Sequence, residues 1–168
     1  MCQPSGYASG VDAVRWLSDD EQATWRSWLE VNVQLAARLN RELQAQSGLS
    51  LPDYDVLVAL TDSPTRSRRM FEICDELQWE KSRLSKQVSR MAARGLVTRR
   101  ESAEDRRGAV VELTDEGLAA IRSAAPSHVE LVRRLMFDGL TPAQVRSLRT
   151  TCEIVLDRLS DGTGSATA

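Results

Sequence analysis

The chain has 168 residues, 42% hydrophobic and 27% charged, enough for one or two lobes with a packed core and too apolar for a disordered polymer. Its formal net charge is only −2, yet residues 66–107 hold twelve of the 22 Lys and Arg against seven of the 24 Asp and Glu, so a basic middle lies between acidic ends and points to a local anion site. Cys2, Cys74 and Cys152 are unclustered, no apolar run nears the roughly 20 residues of a membrane span, and nothing at the start has a signal-peptide centre; a cytoplasmic protein is expected.

In chain order, residues 1–17 read as a flexible arm whose Val11, Val14 and Trp16 can pack on a partner. Ser18-Asp19-Asp20-Glu21 is a capping box that opens a long helix, and Gly48 is its natural stop. Trp25, Trp28, Leu29, Asn32, Leu35, Ala36, Leu39 and Leu43 mark its buried side. That side exceeds what a small lobe covers, which suggests a dimer interface; a core helix within one subunit fits the same spacing. Ser50 caps a second helix with Pro52 in its first turn. Residues 62–69, rich in hydroxyls and Arg, read as a turn, and Met70 to Leu77 as a short helix with Ile73, Cys74 and Leu77 inward. The Ser67 hydroxyl and nearby backbone N–H groups are placed to hold a phosphate at that helix start.

The stretch from Glu80 to Gly95 carries the strongest signal. Leu84, Val88, Met91 and Ala92 form one apolar stripe of a helix. Ser82, Lys86 and Ser89 lie opposite, flanked by Arg83 and Arg90, and no carboxylate occurs between Lys81 and Arg100. Such a helix suits an anion, and a DNA major groove is wide enough for it and walled by phosphates; a solvated basic face over a core stripe has the same pattern. Two strands, 96–100 and 109–113, then flank a charged turn containing Asp105, Arg106 and Arg107. An Arg on a hairpin tip can enter a minor groove. Thr114-Asp115-Glu116-Gly117 starts another helix, which Pro126 is expected to bend or interrupt, with Leu118, Ile121, Ala125, Val129, Val132, Leu135 and Met136 along its inner stripe. Thr141-Pro142-Ala143-Gln144 caps a last amphipathic helix with Val145, Leu148, Cys152, Val155, Leu156 and Leu159, and residues 160–168 read as a disordered tail.

Arg68-Arg69-Met70, Ile73-Cys74-Asp75-Glu76-Leu77, Ser82-Arg83-Leu84-Ser85-Lys86, Arg94-Gly95-Leu96-Val97, Asp105-Arg106-Arg107-Gly108 and Leu113-Thr114-Asp115-Glu116-Gly117 together resemble the MarR family of winged helix-turn-helix transcriptional regulators. The wing followed by the Leu113–Gly117 run is the most specific part, and the likeness covers residues 18–159. It implies a mainly α fold (an α+β winged helix), with a helical dimerisation region of residues 18–48 and 114–159 and a DNA-binding region of residues 49–113. It implies a homodimeric repressor on a palindromic operator in double-stranded DNA. By motif position, Lys81, Ser82, Arg83, Ser85, Lys86 and Ser89 belong to the recognition helix, with Arg90 closer to a structural role. Arg107, with Arg106 and an orienting Asp105, serves the minor groove, and Arg66, Ser67 and Arg68 serve phosphates. The resemblance also implies a small aromatic effector in a crevice for which Trp25, Trp28 and Tyr54 are candidates, although aromatic residues at helical spacing also serve as plain core. Three positions depart from the family pattern: Glu80 replaces a Ser or Thr cap, Lys86 an Arg, and Gln78 a turn Gly. No catalytic constellation, metal set or cofactor loop is expected. The rival class is a winged helix that binds protein or RNA.

Overall fold

The computed structural model describes residues 14–100 and 109–161. Its elements are α1 (Asp19–Ser47), α2 (Leu51–Thr61), β1 (Ser67–Arg69), α3 (Met70–Leu77), α4 (Lys81–Ala93), β2 (Val97–Arg100), β3 (Val110–Leu113), α5 (Asp115–Val132), a π-helical turn (Arg133–Phe137) and α6 (Pro142–Asp161). Two units divide within α1, one ending at Ala36 and the other beginning at Ala37. This is the mainly α, winged-helix class that the sequence predicts. The expected arm, wing tip and tail fall largely at residues 1–13, 101–108 and 162–168, outside the described residues.

The helix starts follow the local chemistry. The Ser18 hydroxyl accepts from the Glu21 N–H at 3.2 Å while the Glu21 carboxylate accepts from the Ser18 N–H at 2.7 Å. Ser50 and Asp53 repeat this reciprocal cap at 3.1 and 2.8 Å, and Thr141 and Gln144 at 3.3 and 2.9 Å. The core of the second unit lies under α2, α3, α4 and the sheet, where Leu57, Leu60, Ile73, Leu84, Val88, Met91, Val97 and Val111 are fully buried. Each such burial contributes about 1.5–3 kcal/mol. The strands pair antiparallel in the order β1-β3-β2, with Arg68 opposite Val111 and Arg99 opposite Val111 on the other edge.

Three expectations need correction. The stretch 62–69 is not turn throughout: Ser67–Arg69 forms the third strand. Three residues are too few to show an alternation, and the pairing is tertiary, with Leu113 donating to the carbonyl of Arg66, whose φ of 52° redirects the chain. Of the bend or interruption expected at Pro126, the interruption does not occur: α5 runs on through it, and the irregular turn comes only at Arg133. Pro126 and Arg122 are both exposed, so the carbonyl left without its helical partner lies on a solvated side. The predicted buried side of α1 is mostly uncovered: Trp25 and Trp28 are 52% and 48% exposed, Leu29 is exposed and only Leu43 is buried. On α5 and α6 the same holds for Val129, Val155, Leu156 and Leu159, all exposed.

One close approach ties α5 to the turn after α4. Thr114 Oγ1 donates to the Gly95 carbonyl at 2.6 Å and accepts from the Gly117 N–H at 2.9 Å. Gly117 is buried so tightly that a Cβ there would lie 2.0 Å from the Leu96 carbonyl oxygen. This is the physical content of the glycine in the Leu113–Gly117 run.

Candidate nucleic-acid interface

Helix α4 buries Leu84, Gln87, Val88 and Met91 and presents Lys81, Ser82, Arg83, Lys86, Ser89 and Arg90 to solvent, with Ser85 half-buried. Glu80 occupies the N-cap without a side-chain bond to the helix, which leaves the first N–H groups of α4 unsatisfied by it. Gln78 takes the left-handed conformation, φ 51°, that a turn glycine would adopt freely. Lys81, Ser82 and Lys86 make no side-chain hydrogen bond or ion pair to another described residue, so their donors face outward. The Ser89 hydroxyl donates to the Ser85 carbonyl at 2.9 Å. Arg90 donates to the Gln87 side chain. Arg83 lies over the Trp79 ring, 4.1 Å from its centroid.

The β1 residues are placed differently from expectation. Ser67 lies in a strand, hydrogen-bonded through its hydroxyl to Thr65 at 2.9 Å. The α3 N-cap is Arg69, the Arg69 N–H donates to Glu72 at 2.8 Å and the Met70 N–H to Ala109 at 2.9 Å. At that helix start the N–H groups of Arg69 and Met70 are thus satisfied within the protein. Arg68 is half-buried and ion-paired with Glu76, whereas Arg66 is exposed. Asp105, Arg106 and Arg107 lie outside the described residues; the strands that flank them pair through Arg100 and Val110.

Sequence reasoning missed two features. Arg99 of β2 reaches Ser85 of α4, Nη1 to Oγ 3.4 Å, and so joins the basic surface; its signal was the Arg-Arg pair at the strand end. The second is a buried polar network. Gln87 Nε2 donates to Asp53 Oδ1 at 2.6 Å, and Asp53 Oδ2 accepts from Arg94 Nη1 at 2.7 Å and from the Ser50 N–H at 2.8 Å. Arg94 Nη2 also donates to the Gly48 carbonyl at 2.8 Å. Asp53 and Gln87 are each 3% exposed. The network fixes the C-terminal half of α4 to the start of α2, and with it the direction in which the Lys86 face points.

The aromatic candidates divide. Trp25 and Trp28 are exposed on the first unit. Tyr54, on the second, is half-buried with its ring centroid 4.3 Å from that of His128. His128 Nδ1 is buried without a partner among the described residues, and burial lowers the imidazole pKa below 6.5. The sign follows: the folded chain disfavours the charged ring, so this contribution to stability is present above pH 6.5 and is lost as pH falls through the lower folded value. The chain has a single histidine, so one imidazole proton resonance followed by NMR titration should show a midpoint below 6.5; a midpoint at or above 6.5 would contradict the buried ring.

A profile of the MarR family matches residues 47–108. The fold is similar to Sco3205, a MarR family transcriptional regulator from Streptomyces coelicolor solved in complex with DNA: 41% identity, TM-score 0.83, covering 88% of this chain and 92% of that one. It is similar also to AbsC, a MarR family regulator from the same organism, at 39% identity and TM-score 0.81, over 88% of this chain and 99% of that one. The transcriptional repressor IacR of Pseudomonas putida is 35% identical over 111 residues, 66% of this chain and 65% of that protein. Similarity at this level over nearly the whole length of two solved regulators shows that the chain belongs to the MarR family of transcriptional regulators.

Proposed function

We propose that the protein is a homodimeric repressor that seats α4 of each protomer in the major groove of a palindromic operator. The carrying observation is the outer face of α4, where Lys81, Ser82 and Lys86 project without internal partners above a buried apolar stripe. That Sco3205 was solved with DNA supports the same use of the face. Residues 49–113 then form the DNA-binding region. Residues 18–48 and 114–159 form the dimerisation region, whose exposed Trp25, Trp28, Leu156 and Leu159 a second copy would cover. Release by a small aromatic effector belongs to the same reading.

The test is binding to random duplex DNA across a salt series, with the oligomeric state followed by sedimentation. Many phosphate contacts give a steep fall of log affinity with log salt. Lys86→Ala is expected to lower affinity about tenfold at low salt and to reduce that slope by about one, with the dimer intact. A lone subunit in solution, or a chain that ignores duplexes even at low salt, would overturn the proposal in favour of a protein- or RNA-binding winged helix.

A further inference from the structure

Arg83 stands apart from the other cations of α4. Its guanidinium lies over an indole at 4.1 Å, and it makes no hydrogen bond to a described residue. The indole is itself anchored. Trp79 packs against the hydrophobic core, and its backbone N–H, not the indole, donates to the Cys74 carbonyl at 2.9 Å. It follows directly on Gln78, whose positive φ turns the chain out of α3. From α2, the Asp55 carboxyl, pushed up by burial, is drawn back down by the Arg83 charge, so the two are within electrostatic reach.

A stacked guanidinium is not a spent one. Stacking uses its face and leaves the in-plane N–H donors at its edge. Two parallel donors in a fixed plane match O6 and N7 of guanine in the major groove, a fit that a lysine ammonium lacks. Arg83 is also the third residue of α4, and the N-terminal residues of a recognition helix are those that meet base edges. A long side chain loses rotamer freedom when it binds, and prior ordering removes that cost.

We infer that Trp79 is a positioning residue for base readout: its indole face holds Arg83 flat, with its donor edge directed at a guanine in each operator half-site. This rests on the DNA-binding reading above and adds the base that is read.

The experiment is selection of duplexes from a random pool by the full chain as wild type, Arg83→Ala, Trp79→Phe, Trp79→Leu and Trp79→Ala, followed by affinity measurements on the wild-type consensus and on random duplex. Wild type and Trp79→Phe should enrich a half-site with guanine at one position. Arg83→Ala, Trp79→Leu and Trp79→Ala should lose that guanine and bind the consensus about tenfold more weakly. Trp79→Leu keeps an apolar side chain for the core but has no ring face, and it should bind random duplex as wild type does, which a merely structural role would not predict. Retention of the guanine by Arg83→Ala or by Trp79→Leu overturns the inference while leaving duplex binding in place. Absence of wild-type binding to any duplex overturns the regulatory reading itself.

Discussion

Gly117→Ala is expected to lower the unfolding free energy by about 3–5 kcal/mol, beyond ordinary overpacking of about 1–3 kcal/mol. The added Cβ would meet the Leu96 carbonyl oxygen at 2.0 Å and Leu113 Cδ1 at 2.8 Å. A side chain can swing aside, but the Leu96 carbonyl accepts the Thr114 N–H at 3.3 Å and immediately precedes β2. Relief therefore requires the first turn of α5 to lift from the sheet, which also strains the Thr114 bonds to Gly95 and Gly117. For a chain of this size such a loss lowers the melting temperature by on the order of 10 °C. Urea unfolding followed by circular dichroism measures it. Gly95→Ala is the control: its Cβ would enter open space, and only the positive φ of 74° resists it, at a cost of about 1–2 kcal/mol. Equal losses for the two variants would show that the contact with Leu96 is not the cause.

Asp53→Ala should cost about 3 kcal/mol, at the low end for a broken buried pair. The substitution strands three donors at once: Gln87 Nε2, Arg94 Nη1 and the Ser50 N–H. The Asp53 side chain is almost wholly enclosed, whereas that of Arg94 is 43% exposed, so water takes up part of the loss on the arginine and little of it on Gln87. Asp53→Asn retains an acceptor but not the charge and should fall about midway. The signature that separates this network from simple packing is functional. Because Asp53 aims α4, Asp53→Asn should weaken binding to a selected operator more than to random duplex, under conditions where both variants remain folded. An unchanged ratio between the two affinities would limit the network to stability.

The helical architecture was legible because its signals are local. Ser18, Ser50 and Thr141 bond within three residues of themselves, and α3 falls at Met70–Leu77 as its apolar spacing predicts. The stripe of α4 was equally plain, with Leu84, Val88 and Met91 all buried. What escaped the sequence depends on distant partners. Gln87 sits on the apolar stripe as a polar residue, and its role appears only with Asp53, 34 residues away. β1 exists because β3 offers it an edge, and Ser67, read as part of a turn, pairs there opposite Glu112. The stripe of α1 was read correctly as apolar, but periodicity cannot tell which molecule provides the cover. At the candidate interface the residue types were readable. The Trp79 platform under Arg83 was not, because stacking across four positions leaves no pattern distinct from a core aromatic beside a surface cation.

The uncovered Trp25, Trp28 and Leu29 of α1 bear on how much of the protein a cell must make. In the proposed homodimer these side chains leave water only on association, so folding and pairing become parts of one mass-action equilibrium. Dilution then acts as a denaturant: the melting temperature falls as the protein is thinned, and a scarce protomer is a proteolysis substrate before it is a regulator. Occupancy of the operator would rise with a power of expression greater than one, giving the bound state a threshold set by hydrophobic burial far from the DNA.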